Sequence, residues 1–340
     1  MSLIIYLILV IQVGLRWETG TDWNSYLMHF QSISDFASTS PWRTGEEWGY
    51  SIFVWVVKFF SSDYTFFLLV HAIIYYFLIF KSFKHYTSYF FLSLLMFYSI
   101  TMGMMGSNRQ LIAVAICLYA LRYIVEEKPT RFFLLVILAM MFHTTAILFI
   151  IYYFLNRQIK PMTLFLLLTF SIIIGYSSLP IYLFSHAGNL IGGVAGGKVA
   201  IYIELAKYMP QIDKLTLIGL LKRIIFISVF YYNRDKLSEK LPFYTIMLNG
   251  YIVGIVIYFL FAHSLTIMVS RGDFYFHIME PILLASQMLL FNRRENKVII
   301  LFVLLVFSFI LFFQSISVYP DLFLPYKGIF INTGYSRIMY

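Results

Sequence analysis

Long apolar runs alternate with short polar connections along the whole chain. The runs cover approximately residues 3–15, 64–84, 86–106, 109–125, 131–155, 161–184, 215–232, 243–266, 274–291 and 297–316, with a shorter amphipathic piece at 50–60. A helix needs about 20 apolar residues to cross about 30 Å of hydrocarbon. Because these runs are apolar on all sides and do not alternate in polarity as barrel strands do, they predict an all-α polytopic membrane protein with about 10 to 11 transmembrane or re-entrant helices.

Composition supports a membrane protein and excludes a soluble globule. Apolar residues make up 61% of the 340-residue chain and charged residues 12%. Soluble domains contain about 45–50% apolar residues and about 25% charged residues. No charged or Pro-rich linker divides the runs, so residues 1–340 are expected to form a single integral membrane domain. The one cysteine, Cys117, excludes an intramolecular disulfide and a cysteine metal cluster.

The net charge of +9 does not indicate nucleic-acid binding, because the basic residues are dispersed between apolar runs. Short connections rich in Lys and Arg are typical of cytoplasmic loops. In this chain the short connections that are predicted to be cytoplasmic contain Lys81, Lys84, Arg122, Lys128, Arg131, Arg157, Lys160, Arg234, Lys236, Lys240, Arg293, Arg294 and Lys297. This orientation makes residues 16–63 and 185–214 the main extracytoplasmic loops. Segment 131–155 is basic at both ends, so it is predicted to enter the membrane, turn near His143 and return; the alternative is a simple crossing.

The first predicted outer loop concentrates polar and aromatic side chains. It reads GLRWETGTDWNSYLMHF from Gly14 to Phe30 and EEWGY from Glu46 to Tyr50. Its tryptophans, taken singly, are typical of an interfacial aromatic belt, and Arg16 alone could be a snorkelling anchor. The combination of Arg16, Asp22 and Glu47 favours a functional site.

Two further arginines are predicted to open helices on the same membrane side. Arg109 follows Gly106-Ser107-Asn108 and precedes Gln110, and Arg271 stands in the run SRGDFYFHIMEP. A guanidinium group binds phosphate oxygens in a bidentate fork, and a helix N-terminus adds amide donors and positive partial charge. Two such helix starts could together bind a diphosphate, although either arginine alone would also serve as an interface anchor.

His143 lies far from either end of its apolar run, where an ionisable side chain usually faces a cavity. It is a candidate general base, with Asp22 and Glu47 as competing candidates; the alternative is a hydrogen-bonded core histidine. Lys222 and Arg223 interrupt run 215–232 and are expected to face protein or headgroups, with a role in binding lipid phosphate as the alternative. No HExxH, Asp-x-Asp or i,i+4 histidine spacing predicts a catalytic metal.

These motifs together resemble the EpsG-type polysaccharide polymerases, which are related to the Wzy polymerases of O-antigen and exopolysaccharide. The resemblance rests on Arg16 followed by GTDW and Tyr26, on Glu47-x-Gly49-Tyr50, and on Asn108-Arg109-Gln110. It also rests on Phe142-His143-Thr144 after a basic loop and on Arg271 followed by Tyr275-Phe276. Each motif is short, and their order over most of the chain carries the specificity.

The resemblance implies a metal-independent glycosyltransferase without a cofactor, with a helical architecture similar to the GT-C class, in the bacterial inner membrane. Donor and acceptor would be glycans on undecaprenyl diphosphate, with the lipid bilayer and a chain-length regulator as further candidate partners. The acceptor hydroxyl would attack the anomeric carbon on the periplasmic face while the lipid diphosphate leaves. The resemblance implies that Arg16, Arg109 and Arg271 bind the diphosphate and that His143 or Glu47 is the general base. Asp22 and Tyr26 would orient the sugar. The binding site would also include Gln110, Tyr50 and Tyr275.

Two other classes use similar residues. A lipid-linked oligosaccharide flippase would also line a polar cavity with arginines and aromatic side chains, but the internal repeats common in transporters are not visible here. A membrane O-acyltransferase would use a membrane histidine, but it would need a path to a cytoplasmic acyl donor.

Overall fold

The computed structural model describes residues 1–208 and 217–337, and these are helical and irregular without a β-strand. The α-helices are α1 Ser2–Gly14, α2 Trp23–Ser32, α3 Pro41–Thr44, α4 Trp48–Lys58, α5 Tyr64–Tyr86, α6 Phe90–Thr101, α7 Asn108–Ala120, α8 Arg122–Val125, α9 Pro129–Met140, α10 Pro161–Gly175, α11 Leu179–Ile191, α12 Gly193–Tyr208, α13 Leu217–Tyr232, α14 Arg234–Lys240, α15 Tyr244–Phe261, α16 Phe274–His277, α17 Glu280–Ser286 and α18 Arg294–Ile316. Five 3₁₀ or π-helical turns are also described, at Ala37–Thr39, Met102–Met104, Met268–Gly272, Gln287–Leu290 and Pro320–Leu322, with a longer 3₁₀ segment at Thr144–Phe154.

The prediction of an all-α polytopic membrane protein is confirmed. Among the described residues, four helices are long and apolar enough to cross a membrane: Tyr64–Tyr86, Asn108–Val125, Tyr244–Phe261 and Arg294–Ile316. A fifth span results if Pro161–Gly175 and Leu179–Leu190, which are bent by 82°, count as one. Ser2–Gly14, Phe90–Met104, Pro129–Met140 and Thr144–Phe154 are apolar but shorter.

Three predicted runs are broken. Run 131–155 stops at Met140 and resumes as a 3₁₀ helix at Thr144, so the break falls at His143 as expected. The apolar runs 161–184 and 274–291 are not continuous helices either. The first breaks between Gly175 and Leu179, and the second divides into three short helices. A hydropathy pattern responds to apolar residues and not to hydrogen-bond continuity, so it misses such breaks.

The predicted extracytoplasmic loops contain helices. Residues 16–63 include α2, α3 and α4. The segment predicted as a loop at 185–214 contains the second half of α11, which ends at Ile191, and the whole of α12, Gly193–Tyr208. Its residues 209–214 lie outside the described residues. On which side of the membrane these segments lie stays a prediction.

The chain divides into two compact units. Unit 1 contains residues 1–147 and 284–337, and unit 2 contains residues 148–283. In unit 1, α5 packs against α1 and α7, α7 packs against α9, and α6 packs against α18. Helix α7 is the buried centre of unit 1, whereas most of α18 is exposed, as expected for a lipid-facing helix.

Unit 2 is organised around α15. This helix contacts α10, α13, α14 and α16, and α11 pairs with α12. Most of α15 is buried. The polar side chains of α13 and α16 that are described below therefore lie around one buried apolar helix.

Candidate active site

Four separated segments of unit 1 meet at Arg109. The Arg109 side chain forms ion pairs with Glu46 and Glu47. Its Nε donates to the Tyr26 hydroxyl at 3.3 Å, and its guanidinium carbon lies 5.6 Å from the centre of the Tyr26 ring. Glu47 Oε1 accepts hydrogen bonds from the Thr144 hydroxyl at 2.8 Å and from the Thr144 amide at 3.3 Å. We call Tyr26, Glu46, Glu47, Arg109 and Thr144 the Arg109 cluster.

The ends of helices position the charged groups of this cluster. Arg109 is in the first turn of α7, and Glu47 is the residue immediately before α4. A carboxylate is stabilised at a helix N-terminus by the unpaired amides there. Thr144 opens the 3₁₀ helix that follows the break after α9, which leaves its backbone amide available to Glu47. A break in regular structure therefore supplies part of the site.

The GTDW segment is fixed against the start of α7 by two glycines. Gly20 and Gly106 have φ angles of +102° and +115°, which are favourable only for glycine. The Thr21 amide donates to the Met105 carbonyl at 3.0 Å. A Cβ atom on Gly20 would overlap the Met105 carbonyl, and one on Gly106 would overlap the Thr21 backbone. Two glycine turns thereby hold Asp22 and the start of α2 close to Arg109.

Arg16 lies beneath this surface and does not reach it. Its side chain is 1% exposed; it donates to the Asn108 side-chain oxygen at 2.8 Å and to the Val13 carbonyl at 3.1 Å. His71 Nε2 donates to the Asn108 carbonyl at 2.8 Å. Asn108 therefore receives hydrogen bonds from two buried side chains and precedes Arg109 directly, so this arrangement fixes the first turn of α7.

The remaining predicted residues of unit 1 differ in accessibility. His143 is buried, and its Nδ1 is 2.6 Å from the Thr145 hydroxyl. Asp22 is exposed and has a left-handed conformation just before α2. Tyr50 and Gln110 are buried, with Tyr50 in the aromatic core that also contains Tyr26. Of the predicted side chains, Asp22, Glu47 and Arg109 are therefore the best placed to meet a ligand from outside.

Sequence reasoning missed three members of this region: Glu46, Thr144 and His29. The His29 ring nitrogen Nε2 is 3.3 Å from the Ser51 hydroxyl. Burial, assisted by the charge of Arg109, lowers the pKa of His29 to about 4, so this imidazole is neutral at pH 7. The pair Glu46-Glu47 was visible in the sequence as two adjacent carboxylates, but its link to Arg109 was not.

Arg271 and Tyr275 belong to unit 2. Arg271 lies in the π-helical turn Met268–Gly272, and its guanidinium donates to the Tyr202 hydroxyl at 3.2 Å. Tyr275 is completely buried, and its carbonyl accepts a hydrogen bond from the Tyr152 hydroxyl at 3.3 Å. The side chain of Tyr275 is therefore part of the core of unit 2.

Unit 2 also holds a partly buried charged cluster, in which Asp273 and Glu280 are buried. We call it the Glu280 cluster and define it as Lys222, Arg223, Asp273, His277 and Glu280. Lys222 Nζ is 2.9 Å from Glu280 Oε1, and His277 Nδ1 is 3.6 Å from Glu280 Oε2. The Arg223 guanidinium stacks on the Tyr258 ring at 3.4 Å. The expectation that Lys222 and Arg223 face protein fits this arrangement.

Asp273 is the acidic member of the Glu280 cluster that makes no ion pair among the described residues. It is buried, its Oδ1 has no hydrogen-bond partner among the described residues, and it lines a small cavity with Arg223 and His277. Burial raises the pKa of Asp273 to about 7. The spacing of Asp273, His277 and Glu280 at i, i+4 and i+7 is the one sequence signal that could have revealed the cluster, because it places three titratable groups on one helical face.

The described residues contain no group of three or more His, Cys, Asp or Glu side chains arranged to hold a metal ion. The cationic groups beside the carboxylates in both clusters are arginine and lysine side chains. Such groups can bind phosphate and sugar oxygens directly.

The fold defines a multi-helix integral membrane protein, and each of its two units contains a cluster of paired charged side chains. The EpsG family model matches residues 1–328 of the 340, and the chain belongs to this family. Membership makes it a polysaccharide polymerase-type membrane protein of polysaccharide biosynthesis. Neither a curated protein nor a solved structure matches the chain.

Proposed function

We propose that the chain is a glycosyltransferase that polymerises lipid-diphosphate-linked oligosaccharide repeat units on the periplasmic face of a bacterial inner membrane. Family membership supports the polymerase class. The observation that carries the proposal is the meeting of four family-like motifs at Arg109: Tyr26 after GTDW, Glu47 of the EExGY element, Arg109 itself, and Thr144 next to His143.

In this proposal Arg109 binds the diphosphate of the donor. A guanidinium can form two parallel hydrogen bonds to phosphate oxygens, and the first turn of α7 contributes positive partial charge. As the glycosidic bond breaks, negative charge grows on the departing diphosphate, and a cation already in place lowers the barrier. Arg16 is a positioning residue, because it acts through Asn108 on the turn that carries Arg109.

The acceptor sugar hydroxyl attacks the anomeric carbon of the donor. The new C–O bond forms while the bond to the diphosphate oxygen breaks, and the lipid diphosphate leaves with the electron pair. The hydroxyl proton passes to Glu47 or His143, and we favour Glu47. When a diphosphate takes over the Arg109 guanidinium, Glu47 loses its counter-charge and gains an anionic neighbour, both of which make the carboxylate more basic.

Asp22 and Tyr26 orient the sugar in this scheme, because Asp22 is exposed beside the site and Tyr26 contacts Arg109. A single base without an enzyme nucleophile gives inversion at the anomeric carbon. The role of Arg271 in binding phosphate stays a prediction from the resemblance.

The test is a reconstitution. Purified protein in nanodiscs receives a lipid-diphosphate repeat unit, without nucleotide and with or without a chelator, and products are resolved as a ladder. Arg109→Ala is expected to reduce turnover about 10²- to 10³-fold, and Glu47→Gln about 10²- to 10⁴-fold. Glu46→Gln is the matched comparison, and we expect a smaller loss because Thr144 is hydrogen-bonded to Glu47. Lys128→Gln, in an exposed pair with Glu126, controls for loss of one charge.

Two outcomes would overturn the proposal. A ladder of unchanged yield from the Arg109→Ala protein would remove the Arg109 cluster from the chemistry. Transfer of intact substrate across a vesicle membrane without a new glycosidic bond would identify a flippase instead. A ladder that disappears with the chelator would retain the polymerase but show that it needs a metal.

A further inference from the structure

A groove between α1 and α5 lies outside the candidate active site. It has a volume of about 380 Å³ and is lined by Ser2, Leu3, Tyr6, Phe77, Phe80, Lys81 and Lys84. The residues on α5 belong to its last three turns, and those on α1 belong to its first two turns. The groove therefore lies at one end of a long apolar helix, where a spanning helix reaches the headgroup layer.

The two lysines at the groove have no carboxylate partner among the described residues. Lys84 Nζ donates to the Ser2 hydroxyl at 3.3 Å. Lys81 Nζ lies 5.4 Å from the centres of the Phe77 and Tyr119 rings. Both ammonium groups are thus held near the groove by neutral groups, and their positive charge is not cancelled by an acidic side chain in the part of the chain that the structure describes.

The wall of the groove is apolar and accessible. Leu3 is 66% exposed and Phe77 is 53% exposed, whereas Phe80 is buried and forms the floor against Tyr6, with the two ring centres 5.4 Å apart. Two cations at one end of an exposed apolar wall match a molecule with an anionic head and a hydrocarbon chain. Basic pockets between membrane helices bind anionic lipid headgroups in this way.

We propose that this groove binds an anionic phospholipid, with the headgroup phosphate between Lys81 and Lys84 and an acyl chain along Leu3, Tyr6 and Phe77. The charge complementarity selects an anionic over a zwitterionic lipid, and the apolar wall selects a lipid over free phosphate. The site is independent of the glycosyl transfer proposed above, since none of its residues belongs to the Arg109 cluster or the Glu280 cluster.

The experiment is lipid titration of the purified full-length protein in detergent, followed by native mass spectrometry. Phosphatidylglycerol and phosphatidylcholine are the probes, and the variants are Lys81→Gln/Lys84→Gln and the charge-matched control Arg293→Gln/Arg294→Gln. We expect the lysine double variant to weaken the tightest phosphatidylglycerol site roughly 20- to 30-fold, about 5-fold for each lysine. Phosphatidylcholine binding and the control variant are expected to change less than about 2-fold.

A charge-retaining variant and two competitors separate the alternatives. Lys81→Arg/Lys84→Arg is expected to bind phosphatidylglycerol within about 3-fold of the parent, because a guanidinium also binds phosphate. Inorganic phosphate at millimolar concentration is expected not to displace the lipid. Equal weakening of phosphatidylglycerol binding by Lys81→Gln/Lys84→Gln and by the control Arg293→Gln/Arg294→Gln would overturn the proposal. So would lysine-dependent binding of a polyprenyl phosphate or free phosphate without binding of phosphatidylglycerol.

Discussion

Arg109 and Glu47 are predicted to be energetically coupled in the folded protein. Their side chains are only 14% and 10% exposed, and Glu46 adds a second carboxylate to the same guanidinium. Removing one partner of a buried ion pair typically costs about 3–5 kcal/mol because the other charge is left without compensation. Removing both Arg109 and Glu47 leaves one uncompensated carboxylate, Glu46, where Arg109→Met alone leaves two, so the double variant loses less stability than the sum of the single variants.

The perturbations are Arg109→Met, Glu47→Gln and the combination. We expect Arg109→Met to cost about 3–5 kcal/mol, since it leaves two carboxylates stranded. Glu47→Gln is expected to cost about 1–3 kcal/mol, because Glu46 remains with Arg109 and the amide can still accept from Thr144. The double variant should fall short of the sum by about 1.5 kcal/mol or more.

The assay is SDS-driven unfolding in mixed micelles, followed by far-UV circular dichroism. The chain offers a matched control in the exposed pair Glu126–Lys128, whose side chains are 32% and 48% exposed. For that pair a cycle is expected to give at most about 1 kcal/mol. A coupling energy between Arg109 and Glu47 within about 0.5 kcal/mol of zero would refute the reasoning, because such residues would be acting independently.

Three further predictions follow from individual contacts. Gly106→Ala is expected to lower the free energy of unfolding by about 2–3 kcal/mol or more, because φ is +115° and the new Cβ overlaps Thr21. Gly45→Ala, at φ +69° with open space around it, controls for backbone strain alone; equal losses would contradict the overlap. Burial raises the pKa of Asp273 to about 7, so the stability that the neutral acid contributes is present at pH 4 and is lost as pH rises to about 7. In a plot of melting temperature against pH, Asp273→Asn should flatten the slope between pH 4 and about 7. An unaltered slope would exclude Asp273 as the origin of this pH dependence. Thr19→Val removes the hydroxyl that donates to the Lys327 carbonyl at 2.8 Å and accepts from the Lys327 amide at 3.1 Å. Amide exchange over residues 317–337 should then accelerate by at least about tenfold, whereas unchanged exchange would show that this pair does not hold the C-terminal segment.

The long spans were predictable because their physics is local. Segments 64–86 and 294–316 carry enough consecutive apolar residues to cross a bilayer, and this property can be counted from the sequence. The break at His143 was predictable for another reason, since basic residues on both sides of segment 131–155 argue against a simple crossing. The bend between Gly175 and Leu179 has no flanking basic residues. Its sequence signal is of another kind, the turn-forming residues of the GYSSLP segment at 175–180, which a hydropathy count does not register.

The candidate site was predictable only in pieces. The sequence indicated Arg109, Glu47 and Arg16 as charged groups with a functional role. It did not indicate that Arg16 is buried and hydrogen-bonded to Asn108, or that Glu47 also binds Thr144. These partners are separated by 92 and 97 residues, and no local pattern encodes a contact over such a distance.

Sequence alone determined that the protein lies in a membrane, that it is helical, and which residue types are available for chemistry, because hydropathy and helix length are set by consecutive residues. Tertiary structure decided which charges neutralise one another and which remain accessible. It put Arg16 in the interior, Arg109 between two carboxylates, and Lys222 against Glu280. The physical reason is that the energy of a buried charge depends on the distance to its counter-charge and on its separation from water, and both are fixed only when distant helices pack together.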